Sequence, residues 1–166
     1  PILLAYVLPE DKLDGMLVYT ADKNGEGDRY FCKDGKIQRE SDDGSRDSRY
    51  PKEDDHELDV PLAVLVNGNS ASASEVFTGA VMDYDAGIVV GTTTFGKGIV
   101  QNLIPLGDGT AIKLTTAHYY TPNGFDLHGK GLEPDVVVEM DEELQKKAVV
   151  ELSEDNQLQA AIEAMN

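Results

Sequence analysis

The chain has 166 residues, 40% hydrophobic and 27% charged, a balance that suits one globular domain folding in water rather than a disordered or membrane-embedded chain. Fourteen basic against 31 acidic residues leave a formal charge of -17, which repels nucleic-acid phosphates and anionic headgroups and argues against nucleic acid as a partner. The single cysteine, Cys32, excludes an internal disulfide and any multi-cysteine metal site.

Residues 1–8 are almost wholly apolar and begin without a cap, as the tail of an element does. Neither a basic leader followed by an apolar stretch nor an apolar run of roughly 18 to 20 residues is seen, so the numbered residues are expected neither to export nor to anchor themselves. Leu17 to Thr20 reads as a strand, Asp22-Lys23-Asn24-Gly25 as a turn, and the stretch around Arg29 to Cys32 as the returning strand of a hairpin. Residues 39–59 carry nine acids against four bases and hardly an apolar side chain, so a mobile surface loop is expected there.

Leu62 to Val66 is a continuous apolar run between Pro61 and Asn67-Gly68-Asn69, the pattern of a strand buried on both faces. Val76, Phe77, Ala80, Val81 and Tyr84 then recur at helical spacing, and Ile88 to Gly91 reads as a second buried strand. Ile99 to Leu103 and Ala111 to Tyr120 follow as strands around a Gly107-Asp108-Gly109 turn. A last helix is expected from about Glu154, with Leu158, Ala161, Ile162 and Met165 on one stripe. Strands alternating with helices imply a mixed α/β core.

Chemistry is expected where the 62–66 strand breaks into a glycine turn and a helix starts. Free backbone N–H groups and the helix dipole favour developing negative charge at that point, which suits an acyl-transfer nucleophile. Ser70, Ser72 and Ser74 all stand there, and spacing alone does not choose among them. Ser72-Ala73-Ser74-Glu75 is also a capping box, a purely structural use of the same serine. The partner candidate is Lys97, between Gly96 and Gly98 and flanked by Phe95 and Ile99. A lysine whose stem packs on apolar surface loses hydration and can act as a base, whereas a plain surface lysine in a turn is the alternative. Strand alternation through Ile99 places Gln101 on the face of Lys97, where its amide can hold the amine.

The run Val64-Leu65-Val66-Asn67-Gly68-Asn69-Ser70-Ala71-Ser72-Ala73-Ser74-Glu75, with Thr94-Phe95-Gly96-Lys97-Gly98 and Gln101, closely resembles the C-terminal processing, or tail-specific, proteases. Leu114-Thr115-Thr116-Ala117, Tyr119-Tyr120-Thr121-Pro122-Asn123-Gly124, His128-Gly129, Gly131 and Glu133-Pro134-Asp135 continue the likeness, which runs from about Leu58 to the end. The resemblance implies a crotonase-like and Clp-protease-like α/β core, a mixed sheet with flanking helices. It implies Ser72 as nucleophile, Lys97 as general base 25 residues on, Gln101 orienting the lysine, the Ala73 N–H as an oxyanion donor and Asp83 in support, with no cofactor. A metal enzyme is a poor third reading, since the acids cluster in a loop without ligand spacing and the three histidines are scattered. Substrates would be polypeptides with apolar C-terminal tails, cut outside the cytoplasm, in the periplasm, at a membrane anchor or after secretion.

Family members carry upstream a PDZ module and an Asp-Leu-Arg-x-Asn-x-Gly-Gly type strand that supplies the second oxyanion donor. Residues 1–166 are therefore expected to be a single, partial catalytic domain, incomplete on its N-terminal side, weakly active or inactive alone and prone to self-association through an uncovered sheet edge. Two rival readings compete. One is a serine hydrolase with a histidine base, drawn from His56, His118 or His128; the other is a non-catalytic module that binds polypeptide tails by strand addition.

Overall fold

A computed structural model describes residues 2–8, 15–33, 36–51 and 60–166. The apolar start folds into one helical turn, α1 (Leu4–Val7), which buries Leu4 and Ala5, with Leu8 buried just beyond it. The expected hairpin forms between β1 (Met16–Ala21) and β2 (Arg29–Lys33), antiparallel with Tyr19 opposite Arg29. Asp22 closes its turn by accepting the Asn24 and Glu26 N–H groups at 2.7 and 3.0 Å. These two bonds hold the Asp22 carboxyl below its ordinary range.

Part of the expected loop is instead a second hairpin. β3 (Lys36–Glu40) pairs with β2 and β4 (Arg46–Pro51) pairs with β3, so residues 39–51 continue the sheet, while residues 52–59 lie outside those described. Few apolar side chains are available here, and paired charges hold the strands instead. Arg39 meets Asp28 at 2.8 Å, Arg46 meets Glu40 at 2.7 Å, and buried Ile37 adds to the core. Opposite charges facing each other across strands each contribute a fraction of the order of 0.2–1 kcal/mol, and Gly44 at φ 77° makes the turn between them.

β5 (Ala63–Val66) leads through α2 (Ala73–Asp83) to β6 (Ile88–Gly91), and β5 and β6 run parallel, Val66 opposite Gly91. The crossover through a helix is what parallel pairing requires. β9 (Val136–Val137) joins on the other side of β6, giving a three-stranded sheet in the order β5-β6-β9. The burial expected of both strands is realised only in the middle one. Val89 and Val90 are fully buried, but Leu65 on the outer β5 is 42% exposed.

β7 (Ile99–Pro105) and β8 (Ala111–Tyr120) form the long hairpin, and β8 docks on β1, completing a six-stranded antiparallel sheet in the order β4-β3-β2-β1-β8-β7. The core lies between this sheet and α2: Leu17, Cys32 and Ile37 pack with Leu4, Leu8, Ala80 and Val81, flanked by Phe77 and Tyr84. Of the helix face read from spacing, Phe77, Ala80, Val81 and Tyr84 meet the core, whereas Val76 does not.

After a short turn, α3 (Glu142–Gln145), the chain ends in α4 (Asn156–Ala164), capped by Asp155, which accepts from the Gln157 and Leu158 N–H groups. Its inward line differs from the expected stripe. Gln157 and Ala161 are buried while Ile162 and Met165 are 42% and 38% exposed, because the Gln157 amide reaches the Val138 carbonyl at 2.6 Å and turns that side inward.

Gly91 is where the parallel sheet is least forgiving. Its φ is 131°, and a Cβ there would stand 1.9 Å from the Val66 carbonyl oxygen. Gly91→Ala is expected to cost about 3 kcal/mol or more, through the backbone conformation and the clash together. Chemical denaturation of the variant against wild type checks this; a loss below about 1 kcal/mol would contradict it.

Candidate active site

The turn between β5 and α2 is closed by its own polar groups. The Ser70 N–H donates to the Asn67 carbonyl at 2.8 Å, and the Asn67 N–H donates to the Ser70 hydroxyl at 3.1 Å, so Ser70 is engaged in the turn. Ser72 follows as N-cap of α2 with φ 56° and ψ -109°. Only Ser72 and Asp85 among the described non-glycine residues have positive φ. Such backbone strain at a strand-to-helix turn marks the position where a nucleophile stands exposed on many hydrolase folds, which distinguishes Ser72 from its two neighbours.

Glu75, one turn into the helix, is fully buried. Its Oε2 accepts the Ser72 N–H at 2.9 Å, the half of the capping box that the sequence pattern anticipates. The same oxygen accepts the Lys97 N–H at 2.8 Å. Two bonds to one atom hold the main-chain nitrogens of Ser72 and Lys97 within about 5.7 Å of each other. Oε1 accepts from the Gly96 N–H and the Thr94 hydroxyl, both at 2.6 Å. The Thr94 hydroxyl in turn accepts the Leu132 N–H at 2.8 Å. A further tie runs from the Phe95 N–H to the Ser70 carbonyl at 2.9 Å.

Ser72 and Ala73 face a cavity of about 830 Å³ whose other walls include Val76, Val100, Asn102 and Tyr119, with Arg39 from β3 and Asp28 from the β1–β2 turn. Ala73 is the first helical residue, so no carbonyl of its own helix takes its N–H. The Lys97 side chain is exposed, and Phe95 beside it is 63% exposed, so the apolar cover expected over the lysine stem is not formed among the described residues. β7 begins at Ile99, beyond Lys97, so the strand alternation invoked for Gln101 does not reach the lysine. The Gln101 amide donates to the Thr115 hydroxyl at 3.2 Å, while its neighbours Val100 and Asn102 line the cavity with Ser72. Asp83, at the far end of α2, accepts the Asn123 N–H at 2.7 Å and so ties the helix to the turn after β8.

Of the histidines, His56 lies outside the described residues. His118 has a carboxylate partner, Asp126, at 3.3 Å, and the pair lines a neighbouring cavity that shares Asp22, Thr116 and Ala117 with that of Ser72 but does not include Ser72. No group of His, Cys, Asp and Glu among the described residues is arranged to hold a metal ion.

The family model for peptidase family S41 matches residues 10–138. The chain belongs to that family. A carboxy-terminal-processing protease of Bartonella bacilliformis is 54% identical over 79 residues, 48% of this chain and 18% of that protein. Among solved structures, a photosystem II D1 C-terminal processing protease superposes with a TM-score of 0.59 at 36% identity, over 83% of this chain and 30% of that one. A lipoprotein from Streptococcus agalactiae shares the fold at 22% identity and a TM-score of 0.56, over 86% of this chain and 45% of that one. This S41 chain thus spans less than a third of the D1 processing protease and under a fifth of the Bartonella protein. The mixed α/β architecture, with its curled antiparallel sheet and few helices, is that of part of a Clp-protease-like core.

Sequence reasoning gave Glu75 a local capping role and gave Thr94 none. Nothing in the spacing of the S41 chain signals that a carboxylate at the first helical turn collects donors from 19 to 22 residues downstream. Glu75→Ala leaves four buried or half-buried donors without their acceptor and is expected to cost on the order of 3 kcal/mol. Glu75→Gln is also destabilising, since its NH2 group faces donors where an oxygen is required. Thermal and urea unfolding of both variants checks this, and a Gln variant as stable as wild type would contradict it.

A second expectation concerns acid. Burial pushes the Asp126 carboxyl up, but the His128 N–H, the His118 ring and the Lys130 charge together outweigh it and hold the carboxyl below its ordinary value. The folded value lies under the unfolded one, so the group's stabilisation is present above the ordinary carboxylate range and is lost as pH falls through the lowered folded value. The stability gap between wild type and Asp126→Asn should therefore shrink as pH is taken from about 6 to about 2. A gap that is constant over that range would refute the assignment.

Proposed function

We propose that this S41 chain carries the Ser72–Lys97 dyad of a serine endopeptidase that hydrolyses peptide bonds near protein C-termini through an acyl-enzyme. The observation that carries the reading is the shared Glu75 oxygen, which keeps the two backbones together across 25 residues of sequence. The Lys97 amine takes the Ser72 hydroxyl proton as the oxygen attacks the scissile carbonyl, and then passes it to the leaving amine. Water then attacks the acyl carbon and gives its proton to Lys97, which returns it to the Ser72 oxygen as the bond to the acyl group breaks. The Ala73 N–H, at the positive end of α2, is suited to the developing oxyanion.

In this reading the bound substrate supplies the apolar cover over the Lys97 stem, and Gln101 turns toward the amine once that cover closes. Asp83 acts in support by anchoring the end of α2. Family likeness favours polypeptide substrates with apolar tails and action outside the cytoplasm, with no cofactor. Against a histidine base stands the fact that, among the described residues, neither His118 nor His128 lines the Ser72 cavity.

In the intact protein, Ser72→Ala and Lys97→Ala are each expected to lower turnover of an apolar-tailed peptide by roughly four orders of magnitude, while Ser70→Ala and Ser74→Ala stay within about tenfold of wild type. Losing a cap costs only about 0.5–2 kcal/mol, so the Ser72 variant should remain folded. Turnover retained in Ser72→Ala would end the proposal, and tail binding without turnover in the wild type would favour the non-catalytic module. The same assay on residues 1–166 alone, with mass by light scattering, tests the expected weak activity and self-association.

A further inference from the structure

A second group of titratable side chains lies where β8 ends. His118 Nδ1 is 3.3 Å from Asp126 Oδ2, and the His118 and His128 rings meet edge to face with centroids 5.1 Å apart. The other Asp126 oxygen accepts the His128 N–H at 3.0 Å. One carboxylate thus joins the strand to the turn that follows it. Beyond His128 the turn tightens, with the Lys130 and Gly131 N–H groups both donating to the Leu127 carbonyl, at 3.1 and 2.9 Å.

That turn rests directly on the Lys97 loop. The Gly129 N–H donates to the Gly96 carbonyl at 2.9 Å, and the Thr94 N–H donates to the Leu132 carbonyl at 3.1 Å. A Cβ on Gly96 would stand 2.9 Å from the Gly131 nitrogen, and one on Gly98 would stand 2.8 Å from the His128 nitrogen. With backbone against backbone at these points, no flexible side chain lies between them to absorb a displacement. Lys97 is therefore held by Glu75 at its own N–H, by the 128–131 turn beneath its flanking glycines, and by β8, whose Tyr119 N–H donates to the Gly98 carbonyl at 2.8 Å.

We propose that His118 and Asp126 are positioning residues for the Lys97 loop. The His118 ring fixes one oxygen of Asp126, the other fixes the start of the 128–131 turn, and the turn sets where Gly96 and Gly98 carry the lysine. The consequence for catalysis rests on the Ser72–Lys97 reading, whereas the mechanical link does not. Neither residue touches the reacting atoms, so each acts through the loop.

The test uses wild type, Asp126→Ala, His118→Leu and His118→Asn in the intact protein. The asparagine amide stands near the place of histidine Nδ1 and can donate to Asp126, so it is the conservative rescue. Amide hydrogen exchange is followed at Gly96, Lys97 and Gly129, with Val89 and Val90 in β6 as reference, beside steady-state kinetics. Asp126→Ala and His118→Leu are expected to speed exchange at the three loop amides about tenfold or more while leaving Val89 and Val90 unchanged. They should lower kcat about 10- to 100-fold at constant KM, with His118→Asn close to wild type in both readouts.

Unchanged exchange at Lys97 in Asp126→Ala would overturn the link, as would equal acceleration at Val89 and Val90, which signals general loosening. A His118→Asn variant as impaired as His118→Leu would overturn the part assigned to His118. Loop amides that respond as expected in a protein whose Ser72→Ala variant still turns over would leave the link standing and sink the dyad reading instead.

Discussion

One carboxylate organises the site. Glu75 is buried in the first turn of α2, on the side of the helix away from the apolar core, with two oxygens that take up the N–H groups of Ser72, Gly96 and Lys97 and the hydroxyl of Thr94. A buried carboxyl is costly unless its acceptor sites are filled, and here they are filled from both the helix and the loop. The helix dipole adds to the stabilisation, because an anion in the first turn faces the positive end. The strained Ser72 backbone is held in the same way, by a bond from its own N–H to a group that cannot move without exposing other donors.

Glycine supplies the complementary constraint on the far side of the loop. Gly96, Gly98 and Gly131 allow two turns to approach closely enough for direct backbone bonding, which side chains at those positions would prevent. The Lys97 loop is thus clamped between a carboxylate and a glycine-lined turn, while the lysine side chain itself stays exposed. In the proposed mechanism this lets the lysine be placed by its backbone and still reach a substrate.

The two sheets divide the work differently. The parallel β5-β6-β9 sheet delivers the turns that carry Ser72 and the loop that carries Lys97, at the carboxyl ends of its strands, where open α/β sheets place their sites. The antiparallel sheet supplies β7 and β8 as one wall of the cavity and the charged β2–β3 hairpin as another. Apolar side chains near the tip of the β7–β8 hairpin, Leu103 at 70% and Leu106 at 55% exposure, take no part in the core and contribute nothing to the site.

Much of this was legible in the residues. Apolar runs and their period located β5, α2, β6 and the β7–β8 hairpin, because a strand or helix face is written locally in the side chains that must leave water. The family resemblance points to Ser72 among the serines at 70, 72 and 74, and Ser72 is the one of the three with a positive φ, 56°. What pattern could not supply was anything set by partners distant in the chain. The acidic 39–51 stretch became sheet through Arg39–Asp28 and Arg46–Glu40 contacts, and Leu65 stayed exposed because β5 lies at the outside of its sheet. The Glu75 and Asp126 networks likewise exist only once folding brings their donors together. Hydrophobic burial is encoded residue by residue, whereas a hydrogen bond depends on where both of its atoms end up, and that was decided by the tertiary structure.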